Sequence, residues 1–424
     1  MRGPCPSPRE QRSRDEQRAG GSSLTLQFPK HKASNAMHMQ DSQAITHWLG
    51  EQQEAMVQLL SDLVNIDSGS YDKAGVDAVG TRLIRFFSEH GIDVSVTPHA
   101  EFGDILRAES GDVRRDERRH NVLLLGHRDT VFPTGEASRR PFSIKDGRAY
   151  GPGVADMKAG LVMNAFVMAA FKRFAPPIPL VVMMTGDEEV GSNASRDFIM
   201  QEAKSAVAVF NAEPGRASGN IVTGRKGGLS YRLDISGKEA HSGVNFTEGA
   251  SAIAELGHKI VALHDLTHIE DGVTVNVGLV SGGQSVNTTA AHASAGFEVR
   301  FVTNEQRDVA MMAIESIMAT SRIPGTAIKL VRKSNFLALV PTAESEKLAA
   351  SYLQSARNFG TIVEGEFTGG CADSGFTASA GAPTLCGVGP VGGKAHTADE
   401  YIELHTLHQR AQIVAETIRK VFDA

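Results

Sequence analysis

Two apolar runs, Val122–Leu125 and Leu180–Met184, stand on either side of a helical stretch, Gly160–Phe174. Strands that are apolar along their whole length must be covered on both faces, and a largely parallel sheet flanked by helices provides that cover. The pattern predicts an α/β domain with a mostly parallel sheet. Apolar positions also recur at helical spacing over 43–63 and 76–90, with Gly91 as the stop, and a short strand follows at Val94–Val96.

Near residue 222 the pattern changes. Leu229–Ile235 alternates like a half-exposed strand, 250–264 is helical, and Val273–Val280 and Ala293–Phe301 alternate again. A helix over 304–321 and a strand over 328–332 complete the order strand, helix, two strands, helix, strand, which is that of a ferredoxin-like α/β sandwich. Helical periodicity returns at 345–358 and 404–422. A chain of 424 residues exceeds one ordinary core, so two domains are expected. The reading is a larger domain in two parts, 41–221 and 334–424, with an inserted domain over 222–333. Residues 1–40 carry Arg2, Arg9, Arg12, Arg14 and Arg18 among Pro, Ser, Gln and Gly. They read as a disordered tail, with a targeting segment or a start upstream of Met37 or Met39 as alternatives.

Composition excludes several function classes. A net charge of −6 and the lack of a sustained basic stripe beyond the tail argue against a nucleic-acid binder. Cys5, Cys371 and Cys386 are too few and too scattered for a disulfide framework or a cysteine zinc site, which suits a reducing, cytoplasmic setting. No segment reads as a membrane span of ~20 apolar residues.

The chemistry-bearing residues follow the apolar runs. Gly126-His127-Arg128-Asp129-Thr130 comes directly after Val122–Leu125. A histidine with a nearby carboxylate is the usual metal ligand with its orienting partner, and H-x-D is also a common strand-end pair. In Tyr150-Gly151-Pro152-Gly153-Val154-Ala155-Asp156-Met157-Lys158, glycines and proline set a tight loop that aims one carboxylate, at a metal or as a helix cap. Thr185-Gly186-Asp187-Glu188-Glu189-Val190-Gly191 puts three acids at a strand end, where they repel unless a cation or solvent compensates. Asn211-Ala212-Glu213-Pro214 adds another acid after the run Ala206–Phe210, and Ala395-His396-Thr397-Ala398-Asp399-Glu400 a late histidine. Two histidines and at least four carboxylates suit two zinc ions sharing one carboxylate, and such N/O ligands also accept cobalt or manganese.

These loops resemble the aminoacylase, carboxypeptidase G and succinyl-diaminopimelate desuccinylase family of dizinc hydrolases, with the glutamate carboxypeptidase branch as the nearest. G-H-x-D-T-V, G-x-x-D-x-K, D-E-E-x-G, a strand-end E-P and H-T-x-D-E-Y occur in the family order from about Gln43 onward. The resemblance implies a zinc-peptidase-like catalytic domain and an inserted dimerisation or lid domain. It implies that His127, Asp156 and Glu213 hold one Zn(2+) and Asp156, Glu189 and His396 the other. It further implies that Glu188 is the general base, that Asp129 orients His127, and that His241 in Gly237-Lys238-Glu239-Ala240-His241-Ser242-Gly243 serves the neighbouring subunit of a homodimer. Asn287 matches a substrate-facing position, and the Gly369-Gly370-Cys371 loop borders the substrate. Ala159 and Ala290 depart from the family's usual Gly and Pro. No single basic residue matches the anchor of a substrate carboxylate; Arg225, Lys226, Arg332 and Lys333 are candidates, and Arg300 matches a frequent family arginine. The implied substrate is a small peptide or an N-acyl amino acid, cleaved at an amide next to a free carboxylate. A non-catalytic dimeric binding protein is the rival from another class, and it has no need of Glu188.

Overall fold

The computed structural model describes residues 39–114, 119–174 and 178–423; the tail expected over 1–40 lies almost wholly outside them. An eight-stranded mixed sheet forms the larger layer, in the order Asp93–Thr97, Ile105–Ser110, Leu180–Thr185, Asn121–His127, Ala206–Asn211, Thr384–Cys386, Ile221–Arg225, Gly365–Thr368. Its centre is parallel: Asn121–His127 pairs in parallel with Leu180–Thr185 on one side and Ala206–Asn211 on the other. Every residue of Asn121–His127 and Leu180–Thr185 is buried, as their unbroken apolar character requires.

The register of these three strands positions the site. His127 lies opposite Thr185, and Leu125 opposite Asn211. Glu188 and Glu189 therefore follow one neighbour of His127, and Glu213 emerges level with His127 on the other. All leave the sheet at its carboxyl edge, where open α/β sheets place their ligands.

The helix Ala159–Phe174 packs in the core behind these strands and is buried from Ala159 to Phe171. Together with Val154–Lys158 it is long and apolar enough to cross a membrane, contrary to the sequence expectation, but it is 94% buried inside the protein as a core helix. Gly160 is required at its start. A Cβ there would lie 2.0 Å from the Ala212 carbonyl oxygen, next to Glu213. The periodicity over 43–63 is split in the structure into Met39–Glu51 and Gln53–Val64. The break falls where Gln52 N–H bonds to Leu49 O, three residues back, in place of a full helical turn.

The second sheet is antiparallel, in the order Thr274–Gly282, His292–Phe301, Gly227–Ser236, Ala327–Phe336. Two helices, Ala252–His264 and Asn304–Met318, pack on it and on each other around Leu229, Leu233, Ile235, Phe297 and Val299. This is the βαββαβ arrangement read from the pattern. The expected start at 222 falls inside a strand of the large sheet, because Ile221–Arg225 is buried on both faces and pairs with Gly365–Thr368.

A third, small sheet has no counterpart in the sequence reading. It joins Gly392–Gly393, Tyr401–Glu403, Arg148–Tyr150 and Ser143–Lys145, with Tyr401 opposite Tyr150. It brings the His396–Glu400 loop against the loop of Asp156.

Gly160→Ala gains about 1 kcal/mol of helix propensity, but overpacking typically costs about 1–3 kcal/mol. The opposing atom is backbone and cannot swing aside, so a net loss of stability is expected. A lower urea midpoint at unchanged slope is the expected outcome; a midpoint at or above that of the parent would show that the close approach is not needed.

Candidate metal centre

His127 closes its strand with the side chain buried, and its Nδ1 lies 2.9 Å from the Asp129 carbonyl oxygen and 3.4 Å from Asp129 Oδ1. A carbonyl only accepts, so Nδ1 carries a proton and Nε2 is the ring atom left for a metal. Burial opposes charge on the ring, but the bonds to Asp129 and Asp156 hold the metal-free imidazole well above its usual value, so Nε2 gives up a proton when a metal binds. That Nε2 faces Asp156 Oδ1 at 3.2 Å, Glu213 Oε1 at 3.7 Å and Glu188 Oε2 at 3.9 Å. Asp156 sits in the sharp turn opened by Gly153 (φ 71°), with non-helical φ −112° and ψ 91°. Its other oxygen, Oδ2, lies 3.3 Å from His396 Nε2, which is 3.2 Å from Glu189 Oε2. Asp156 thus offers one oxygen to each histidine. Its carboxylate serves neither as helix cap nor as solvated surface group.

The remaining acids divide by task. Asp129 is fully buried and accepts from Ser70 Oγ (2.7 Å), Glu188 N (3.2 Å) and Glu189 N (3.1 Å), so it holds the turn that carries both glutamates. Asp187 accepts from Ala194 N (2.7 Å) and Ser195 Oγ (2.6 Å) and braces the next turn of that loop. Glu188, Glu189 and Glu213 face inward. Burial and neighbouring acids push Glu188 well above the usual carboxylate range. Burial, then the Asp156 charge, pushes Glu213 up to about 7. His396 is pushed up to about 10 by its bonds to Asp156 and Glu189.

This donor set fits divalent metal. Ligand atoms of His127, Asp156 and Glu189 lie within 4.8 Å of one another. Glu189 Oε1 is buried with no protein partner. Crowded, desolvated carboxylates raised in pKa lack positive charge, which cations supply.

The structure therefore brings together His127, Asp129, Asp156, Glu188, Glu189, Glu213 and His396. Arg225 is buried beside them, its Nη1 3.4 Å from the Gly370 carbonyl and 3.5 Å from that of Cys371, with the Glu213 charge nearby. Lys226 points elsewhere: its Nζ donates to the Gly272 carbonyl in the insert (2.6 Å). His241 and Asn287 are exposed in the insert and lie together, through the Ser242 N–Asn287 O bond and the His241–Thr288 bridge. Their hydrogen bonds stay within the insert, His241 N to Asn245 Oδ1 at 2.9 Å and Asn287 Oδ1 to Ser285 Oγ at 2.8 Å. Cys371 Sγ takes a contact from Arg300 Nη1 at 2.9 Å.

Other residues contribute that the sequence reading leaves without a role. Arg128, the middle residue of H-x-D, is fully buried and donates to Thr185 O (3.3 Å), Val76 O (3.1 Å) and Asp104 O. Lys158 is buried, donates to Ile66 O (2.8 Å) and is pushed down to about 7 by burial. Buried Asp373 accepts from Ser192 Oγ. Glu400 accepts three backbone N–H bonds from the Asp156 turn. Only the folded loops reveal these partners. The one sequence signal is that Arg128, Lys158 and Glu400 lie inside the motifs that resemble the family's.

An α/β sheet with two histidines and shared acids at its carboxyl edge defines a metal-dependent hydrolase. The sequence profile of peptidase family M20/M25/M40 matches residues 123–420, and the chain belongs to this family. Over 375 residues it is 28% identical to carboxypeptidase G2 of Pseudomonas sp. (strain RS-16), covering 87% of this chain and 89% of that one. It is 27% identical to the succinyl-diaminopimelate desuccinylase of Methylococcus capsulatus, covering 84% and 95%. The YXEP protein of Bacillus subtilis, described as a dinuclear metal-binding peptidase of family M20, superposes with a TM-score of 0.61 at 15% identity over 88% of this chain and 98% of that one.

Metal ligands must be deprotonated to bind. In the metal-free protein Glu213, raised to about 7, and His396, raised to about 10, hold protons near neutrality. Metal uptake at pH 7 should release protons, and apparent affinity should rise with pH. Calorimetric titration in buffers of different ionisation enthalpy reads the proton count directly; uptake with no proton release would contradict this picture.

Proposed function

We propose that the chain is a two-zinc exopeptidase that releases a C-terminal amino acid such as glutamate from a small peptide or N-acyl amino acid. The observation that carries this reading is Asp156, which presents one carboxylate oxygen to His127 and the other to His396 beside Glu188. His127, Asp156 and Glu213 would hold one ion, and Asp156, Glu189 and His396 the other. When bound there, the ions would supply Lewis acidity toward the scissile carbonyl and lower the pKa of a bound water. Glu188 takes the proton from the attacking water and delivers it to the leaving amine; its raised pKa suits a group that must both accept and give. Asp129 fixes the imidazole of His127 and, through two backbone bonds, the position of Glu188.

The choice of a C-terminal residue rests on the similarity to carboxypeptidase G2. An N-acyl amino-acid deacylase is the second reading, favoured by the similarity to a desuccinylase over 84% of the chain. Comparing kcat/KM on peptides ending in glutamate with N-acetyl and N-succinyl amino acids separates them. A preference of tenfold or more for the acylated amino acids would replace the first reading with the second.

Glu188→Gln keeps the shape but cannot accept the proton. Turnover should fall about 10²–10⁴-fold with both metals retained, measured by kcat and elemental analysis on the same preparation. Near-parental kcat at full metal content would remove Glu188 as the base.

His241 is proposed to act across a homodimer, donating to the oxyanion in the site of the partner subunit. Its exposure supports this, as does the sheet edge Thr274–Gly282, which is unpaired on one side and exposes Leu279 and Val280, together with the exposed Ile253 and Val261 on Ala252–His264. Co-expressing His241→Ala with Glu188→Ala, each nearly inactive alone, should restore about a quarter of parental activity, since about half the dimers of a C₂ pair are mixed and carry one complete site. A dead mixture with heterodimers confirmed by distinct tags would overturn the trans arrangement and place His241 in its own subunit's site.

A further inference from the structure

Glu400 is completely buried. A carboxylate in that position is costly unless donors surround it. Here the donors are all backbone: Gly153 N reaches Oε2 at 3.2 Å, and Ala155 N and Asp156 N reach Oε1 at 2.8 and 2.9 Å. The turn is bent so that these amides converge on one side, with Gly153 at φ 71° and Asp156 off the helical region. Successive backbone N–H groups arranged this way form an anion-binding concavity. In this protein the concavity is filled by a side-chain carboxyl brought from 244 residues away, which burial pushes up to about 7 against the downward pull of the three amides.

Glu400 is anchored at its own end. Its N–H bonds to Thr397 O (3.3 Å), and the following residue, Tyr401, pairs with Tyr150 in the small sheet. His396 lies four residues before it on the same loop. Lys158, at the end of the same turn, is tied to the chain at Ile66 O by its Nζ at 2.8 Å.

The geometry points to Glu400 as a positioning residue for the metal centre: by gripping the amides of Gly153, Ala155 and Asp156, it aims the Asp156 carboxylate between His127 and His396 and ties the His396 loop to the Asp156 loop. This deepens the two-metal reading and rests on it. Glu400 touches neither metal nor substrate and acts through the backbone of Asp156. Glutamine in its place keeps the length but has one acceptor oxygen. With that oxygen at the Oε1 position it retains two bonds, and its NH₂ group then faces the N–H of Gly153. Alanine retains none.

The test is a Co²⁺ titration against a competing chelator, on the chelator-stripped full chain and on Glu400→Gln and Glu400→Ala, with urea unfolding of each metal-free form. Affinity should fall in the order parent, Gln, Ala, with a loss of about 10–100-fold for Gln, as is typical when a partner behind a metal ligand is removed. A purely structural clamp would lower the unfolding midpoint and leave the Co²⁺ affinity of the folded protein unchanged, and that result would overturn the proposal. If the parent itself takes up only one equivalent of Co²⁺, the dinuclear reading fails instead, and the effect of Glu400→Gln on that single site still decides the role of Glu400. Hydrogen exchange of the metal-free parent needs no variant. The amides of Gly153, Ala155 and Asp156 should be strongly protected; exchange at the rate of an open loop would overturn the grip even if neither variant folds.

Discussion

Negative charge gathered in a largely buried cleft is the constraint around which this molecule is arranged. Asp156, Glu188, Glu189 and Glu213 converge on one cleft, and burial and mutual repulsion raise the three glutamates above the usual range. Two histidines offset part of this charge, His127 from within the sheet and His396 from the opposite loop. A cluster of this kind is held together at a cost and is relieved when cations enter. The rest of the fold supplies the rigidity that keeps the acids from spreading apart in the meantime.

That rigidity comes largely from other carboxylates. Asp129 holds the amides of Glu188 and Glu189, Asp187 those of the turn that follows, and Glu400 those of the Asp156 turn. Each is buried, and each faces backbone N–H groups where the ligands face one another. Bonds from backbone amides to carboxyl oxygens are directional, so the loops of Glu188, Glu189 and Asp156 are fastened close to those ligands. The sheet register does the rest by bringing His127 level with the ends of both neighbouring strands.

This division explains what could be read from the sequence. The parallel core was legible because its strands are apolar on both faces, and the insert because its strands alternate. His127, Glu188, Glu189 and Glu213 were legible because each follows an apolar run and carries a residue type suited to metal, and Asp156 and His396 because their glycine-rich loops resemble the family's. Less was visible where partners are distant in sequence. The small sheet uses strands of two and three residues, too short to show a period. The split of the first helix at Gln52 is announced only by Gly50, and a lone glycine inside a periodic run lowers helix stability without fixing a stop. Arg128, Asp187 and Glu400 bond to backbone groups, and backbone acceptors and donors leave no mark in the sequence of the residue they serve; Ser70 donates to Asp129 from 59 residues away. Lys226 was a reasonable anchor by charge alone; its bond to Gly272 could only be seen once the insert was folded.

The same architecture accounts for why the metal chemistry is more legible than the substrate. The insert has its own core and joins the large sheet through two crossing segments that meet at Arg225 and Leu339, whose backbones exchange two hydrogen bonds of 3.1 Å. The ligands all lie in the large sheet and the small one, on the other side of that joint. Residues proposed to meet the substrate, His241 and Asn287, lie on an exposed rim of the insert where each is held by short-range bonds, His241 N to Asn245 Oδ1 and Asn287 Oδ1 to Ser285 Oγ. Substitution on that rim leaves the ligand geometry untouched. A change at Asp156, Glu213 or the residues that grip their loops would disturb every buried charge at once. Selection for a new substrate can therefore act on the insert while the metal motifs stay fixed, and a chain so built declares its reaction class far more clearly than the molecule it cleaves.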